Sequence, residues 1–341
     1  MSAAGRSQGA SAPYGGSAAA TAASVGGPHA GFGKVGVLMG GPSAEREVSL
    51  MSGNGVLGAL REKGIDAHPF DPAERPLFEL KHEAFHRVFI ALHGRFGEDG
   101  TVQGALEVMR IPYTGSGVMG SALSMDKWRT KLVWDASGIP TPRFAMVKST
   151  TDWEKVSELL GLPVIVKPAR EGSTIGLTKV STPADFHAAW KLAAKYDDLV
   201  IAEEFIEGQE LTASIITDRD SGEVALPLVR IVAPQGNYDY QNKYFTDDTK
   251  YFCPAGVRPE IEDEIRQLAL KSFRVLGCRG WGRADVMLRP DGTYSFLEMN
   301  TAPGMTGHSL VPIAARAAGL SYPDLCVKIL EDARLDGARV A

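Results

Sequence analysis

The sequence predicts an α/β protein that opens with a parallel sheet flanked by helices. Two observations carry this. From Lys34 onward, short buried-type strands (KVGVLMGG, HRVFIALHG) alternate with helical patterns in βαβ order. The chain of 341 residues, 44% hydrophobic and 23% charged, is long enough for two or three such cores.

Residues 1–33 are rich in Gly, Ala and Ser, have no acidic residue and no amphipathic period, and read as a disordered tail. They lack the apolar core of a secretory signal. KVGVLMGG is the first strand. SAEREVSLMSGNGVLGALREKG is the helix after it, with Ser43 as N-cap. HRVFIALHG is the second strand, GTVQGALEVMR a helix, and IPYTGSG a strand and turn. A second unit begins near Ser121 with the helix SMDKWRTKLVWDASG, which Gly138 and Pro140 end. LPVIVKPAREGSTIGLTKV reads as strand, glycine loop, strand, and LVIAEEFIEGQELTASIIT as two strands around Gly208. Then come a polar, aromatic loop (236–252), the helix EIEDEIRQLALKSFRVLG, the hairpin GRADVMLRPDGTYSFLEMN and a final helix near 321–333.

The net charge of −5 disfavours nucleic acid as a partner, and no run is long and apolar enough to span a membrane. Cys253, Cys278 and Cys326 are odd in number, lack metal spacing and suit a reducing, cytoplasmic setting.

The hairpin holds the strongest chemistry. With Asp291-Gly292 as a two-residue loop, Asp285 lies opposite Glu298 and Arg283 opposite Asn300, all on one face. Two carboxylates directly opposite repel. Either a divalent cation held by hard oxygen donors or nearby Arg and Lys must offset them. Lys167 ends the strand PVIVK before the short loop around Gly172, Ser173 and Gly176, a setting that suits phosphate oxygens. It is no Walker A loop. Lys127 is a second candidate cation, though each lysine taken singly reads equally as a solvated surface charge. In AEEFIEG, backbone groups of a strand through Phe205 and Ile206 could bind adenine, and Glu210 could accept from ribose; a plain edge strand is the alternative.

Together these pieces resemble the ATP-grasp ligases, specifically the D-alanine–D-alanine ligase family. The matching stretches, in family order, are GGPSAEREVSL, ALHGRFGEDG, YTGSG, SALSMDK, PVIVKPAREGSTIG, YDYQNKYFTDDTKYFCPA, GWGRADVM and LEMNTAPGMTGHSLVP. The resemblance implies three domains: an N-terminal substrate-binding α/β domain (34–121), then two α+β ATP-grasp domains, central (122–208) and C-terminal (209–335). The last would carry the metal site and the lid loop 236–252.

The resemblance also implies roles. Lys127, Lys167, Ser173, Glu203, Phe205, Ile206, Glu210 and Lys243 would contact ATP. Asp285, Glu298 and Asn300 would hold two Mg²⁺ or Mn²⁺ ions. Glu45 would hold the ammonium of the first D-alanine, and His93 would orient that substrate. Arg283, beside backbone N–H groups near Gly304, would stabilise an oxyanion. Ser309 and Leu310 would receive the second D-alanine's carboxylate, and Tyr244 would join Glu45 and Ser173 in closing the lid. Thr174, Ala302 and Gly307 depart from the serines common in the family. The implied reaction joins two D-alanines through a D-alanyl phosphate, for peptidoglycan synthesis, in an enzyme that is a homodimer by analogy. A nucleotide sensor without catalysis, a plain kinase and a ligase for another acid and amine are the alternatives.

Overall fold

The computed structural model describes residues 30–172, 174–234 and 248–337. The first sheet is parallel, as the βαβ order predicts. Its strands β1 (Val35–Leu38), β2 (Ala67–Phe70) and β3 (Arg87–Ile90) lie in the order β2-β1-β3. The middle strand is buried along its whole length, as a strand covered on both faces must be. Helices α1 (Arg46–Glu62), α2 (Glu79–His82) and α3 (Thr101–Met109) follow the strands in turn. The sequence reading missed β2, because four residues containing His68 and Pro69 show no strand pattern.

Two expectations about this unit need correction. Ser43 does not cap α1. The helix starts at Arg46, and the Ser43 hydroxyl instead donates to the His93 carbonyl (2.7 Å) and accepts from the Glu45 N–H (3.2 Å). Nor do residues 30–33 belong to a tail. Ala30–Phe32 form a single 3-10 turn, Phe32 is buried, and the Arg87 guanidinium lies 5.0 Å from its ring centre.

Helices α4 (Val118–Met125) and α5 (Lys127–Ala136) come next, with the Asp126 carboxylate capping α5 by accepting from the Arg129 N–H. The second sheet is antiparallel, order β4-β7-β5-β6: β4 (Phe144–Val147), β5 (Val164–Pro168), β6 (Thr178–Val180) and β7 (Val200–Glu204). Its core is filled from α6 (Trp153–Leu160) and α7 (Pro183–Ala193). Strand β7 is flanked on both sides, so AEEFIEG is no edge strand, and it leaves the sheet after Glu204.

The third sheet takes up the chain from Gln209. Strands β8 (Gln209–Asp218), β10 (Val229–Val232), β11 (Lys250–Phe252), β12 (Trp281–Leu288) and β13 (Tyr294–Asn300) run in the order β11-β10-β8-β12-β13, and β9 (Gly222–Ala225) pairs with β8. Thus Lys250–Phe252, read from sequence as the end of a loop, is an edge strand. One face of the sheet is covered by α8 (Pro259–Val275). Its other face shares a core with β1, α1 and two C-terminal helices, α9 (Leu310–Ala317) and α10 (Tyr322–Glu331).

Helix α5 falls in the span assigned to the central domain, yet it packs on the third sheet. Trp134 is fully buried, sits edge-on to Phe296 at 6.0 Å, and donates from its indole N–H to the Ser272 carbonyl (3.2 Å). An amphipathic pattern shows that a helix has an apolar face but not which sheet receives it. Truncating Trp134→Ala removes a large buried ring and its hydrogen bond, and is expected to destabilise the protein by about 3–5 kcal/mol in chemical denaturation.

Candidate active site

The β12–β13 hairpin decides which side chains meet. Its loop is not the two-residue turn expected from Asp-Gly. The Arg289 N–H donates to the Thr293 carbonyl (2.7 Å), enclosing Pro290, Asp291 and a left-handed Gly292 (φ +90°) in a three-residue loop. That alone would slip the strands by one residue. A bulge opposite Asp285 and Val286 restores the register: Val286 pairs with Phe296 and Asp285 with Glu298, so Leu297 is the extra residue. Asp285 therefore does lie opposite Glu298, and Arg283 opposite Asn300.

Asp285 and Glu298 border a cavity of about 670 Å³ between the second and third sheets. Lys127, Lys167, Glu203, Phe205, Ile206 and Glu210 line it together with Asp285 and Glu298. The opposed carboxylates are balanced by the protein's own cations. Arg283 grips Asp285 with two hydrogen bonds (2.6 and 2.8 Å), Asn300 donates to it (3.2 Å), and Lys127 pairs with Glu298 (3.1 Å). Of the two offsets the sequence left open, the nearby Arg and Lys are in place. Among the described residues no three His, Cys, Asp or Glu side chains form a metal cage. What Asp285, Glu298 and Asn300 do offer is a set of hard oxygen donors on two adjacent strands, with Asp285 at the large cavity, Asn300 at a smaller pocket beside it and Glu298 at both. Such a set fits a divalent cation that takes its remaining ligands from phosphate and water.

The lysines are held firmly. Lys127 donates to the Glu171 carbonyl (2.7 Å) and Lys167 pairs with Glu203 (2.8 Å). Burial would push the Lys127 ammonium down; Glu298, then Glu203 and Glu98, outweigh it and leave its pKa raised. Burial would push the Glu203 carboxyl up, but Lys131 and Lys167 hold it below the usual carboxylate range. Lys131 was missed in the sequence. It lies four residues after Lys127, on the same face of α5, and that spacing is the signal that could have found it. The Phe205 N–H is taken by the Pro163 carbonyl (3.2 Å).

A second, smaller pocket adjoins the first, bordered by Glu45, His93, Gly172, Arg283 and Gly304. Glu45 sits between two glycines whose missing side chains leave room for its carboxylate. A Cβ on Gly94 would lie 2.6 Å from its carboxylate, and one on Gly172 would lie 3.2 Å away. His93 is buried with both ring nitrogens engaged: Nδ1 with the Ala302 carbonyl (3.0 Å) and Glu98 (3.4 Å), Nε2 with the Ser52 hydroxyl (3.1 Å). Ser52 also accepts from the Met305 N–H (3.1 Å), so His93 and Ser52 together tie the first sheet to the loop after β13. Ser309 is the residue before α9 and accepts from the Thr306 N–H (2.9 Å). The Leu310 side chain is in the apolar core, so what it can offer a ligand is its backbone N–H in the first turn of α9. Ser173, Lys243 and Tyr244, with most of the expected lid, lie outside the described residues.

Family comparison bears on this arrangement. The family model described as D-ala D-ala ligase C-terminus matches residues 133–331, and that described as D-ala D-ala ligase N-terminus matches residues 73–116. The chain belongs to the D-alanine–D-alanine ligase family. The D-alanine–D-alanine ligase of Azoarcus sp. (strain BH72) is 65% identical over 304 residues, covering 89% of this chain and 98% of the relative. The crystal structure of the D-alanine–D-alanine ligase of Bacillus anthracis complexed with ATP superposes with TM-score 0.76 at 31% identity, over 88% of this chain and 96% of that one. The VanG D-Ala:D-Ser ligase of Enterococcus faecalis does so with TM-score 0.76 at 30% identity, over 88% and 98%. The three-sheet α/β architecture is thus the ATP-grasp ligase fold.

In this member of the ligase family, burial would lower the His93 pKa, but Glu98 and then Glu45 raise it above 6.5. The stability gained from the imidazolium is then complete below 6.5 and is lost as pH climbs through the raised midpoint. NMR titration of the His93 ring should give a midpoint above 6.5, and Glu98→Gln should lower it. A midpoint unmoved by that substitution would remove Glu98 as the cause.

Proposed function

We propose that the protein joins two D-alanines to D-alanyl-D-alanine at the cost of one ATP, releasing ADP and phosphate. The observation that carries this reading is the meeting of Lys127, Lys167, Asp285 and Glu298 at one large cavity, with Glu45 and Arg283 in the pocket beside it. A carboxylate and an amine do not condense at neutral pH; the carboxylate first needs a leaving group. The first D-alanine would sit with its ammonium on Glu45, and its carboxylate oxygen would attack the γ-phosphorus of ATP as the bond to ADP breaks. The amine of the second D-alanine would then attack the acyl phosphate carbonyl. Phosphate leaves and the amine loses a proton.

The chain's residues supply positioning and charge, the main needs of phosphoryl transfer. Lys127 and Lys167 would face the phosphates, and Glu203, Glu210 and the Phe205–Ile206 backbone the adenosine. Asp285, Glu298 and Asn300 would hold two Mg²⁺ or Mn²⁺ ions, whose chemistry is to neutralise phosphate charge. Arg283, oriented by its two bonds to Asp285, is the donor for the oxyanion of the second step. The Leu310 N–H in the first turn of α9, beside the Ser309 hydroxyl, suits the second carboxylate. Ser173 and Tyr244 would complete the lid with Glu45, and His93 would hold the first-substrate pocket in shape. Peptidoglycan synthesis in the cytoplasm, and a homodimer, complete the proposal by family analogy.

The second substrate needs its own test, because the fold also serves a D-Ala:D-Ser ligase. The Lys243-Tyr244 pair favours an amine over a hydroxy acid, since the D-lactate branch of the family carries Phe at the matching place. Mass spectrometry of a reaction with ATP, Mg²⁺ and D-alanine should show D-alanyl-D-alanine, with one phosphate released per dipeptide. D-lactate outcompeting D-alanine at neutral pH would reverse the choice of nucleophile. Asp285→Asn and Glu298→Gln should abolish turnover, and near-normal rates in either would remove the metal assignment. Arg283→Ala should lower kcat roughly a hundred- to thousandfold.

A further inference from the structure

Lys131 has no solvent exposure and takes no part in the reaction as proposed. Its ammonium donates to the Thr141 hydroxyl (2.8 Å) and lies 3.2 Å from Oε1 of Glu203. The other oxygen of that carboxylate, Oε2, holds Lys167 at 2.8 Å. Thr141 in turn donates to the Phe296 carbonyl on β13 (2.9 Å). Hydrogen bonds therefore run from the third sheet (Phe296) through Thr141 to Lys131, and ion pairs continue from Lys131 through Glu203 on β7 to Lys167 on β5 of the second sheet. The cavity lies between those two sheets, and Glu203 and Lys167 line it while Lys131 stands behind them.

A buried ammonium is retained against its desolvation cost only where something compensates it. Lys167 already pairs with Glu203, so that carboxylate has a cation even without Lys131. Here the ammonium divides the Glu203 carboxylate: one oxygen faces Lys131, which leaves the other to face Lys167. We infer that Lys131 is a positioning residue for the nucleotide site, fixing the orientation of Glu203 and through it the head group of Lys167. This rests on the nucleotide reading of the cavity given above. Burial pushes the Lys131 pKa down to about 8, Glu203 and Glu298 opposing that shift and Lys167 adding to it.

The test is Lys131→Met, which keeps length and removes charge. Binding of a non-hydrolysable ATP analogue with Mg²⁺ is measured by calorimetry, and KM for each substrate by steady-state kinetics. The inference expects nucleotide Kd to weaken tenfold or more while KM for D-alanine stays within twofold. It also expects Lys131→Met to add nothing further in a Glu203→Gln background, because the lysine acts through that carboxylate. Wild-type nucleotide affinity in folded Lys131→Met, an equal rise in both KM values, or additive losses in the double variant would each overturn it. Should Lys131→Met not fold, Thr141→Val removes the lysine's anchor and is judged by the same readouts. Failure of the unmodified protein to bind the analogue would overturn the nucleotide reading, and this inference with it.

Discussion

The site depends on holding like charges together inside the protein. Two unit charges about 5 Å apart, at an effective dielectric near 20, repel by about 3 kcal/mol. The hairpin sets Asp285 against Glu298 across two strands, and the cavity wall adds Glu203 and Glu210. Arg283, Lys127 and Lys167 are interleaved with these acids so that each strong repulsion is met by a short ion pair. Acids and bases thus neutralise one another within the protein, and this compensation lets the chain fold with so many charges around one cavity.

Register is what makes the compensation possible. Side-chain facing on a strand alternates, so a slip of one residue would send Asp285 and Arg283 into the apolar layer occupied by Ala284 and Val286. Two irregularities, a three-residue loop and the Leu297 bulge, cancel each other. Either alone would misplace the site.

Much of this was legible in the sequence because it rests on local rules. The parallel first sheet follows from βαβ alternation, and the Asp285–Glu298 pairing from period two. The pairing was reached through a wrong loop length, since no sequence pattern announces a bulge at Leu297. Lys127 and Lys167 were candidates from their place in the sequence and Glu45 from motif resemblance, whereas the partners of the lysines, Glu298 and Glu203, are set by tertiary packing. Lys131 could be reached only through its spacing from Lys127: by itself a lysine on a helix reads as solvated unless one knows that Trp134, one turn away, is buried against Phe296. Ser43 shows the converse limit. Its sequence position suits a cap, but a neighbouring carbonyl, that of His93, claims the hydroxyl.

The shared core formed by α1, β1, α9 and α10 has a consequence for biosynthesis. The first sheet is translated early, but the helices that seal one of its flanks come from residues 310–331. A nascent chain therefore carries an open apolar surface on its leading portion while more than two hundred further residues leave the ribosome. Its final closure is a late event tied to completion of the C-terminal helices. Chaperones that shield emerging hydrophobic segments would have their longest task at the start of this chain, although the last part of the molecule to become secure is that same beginning.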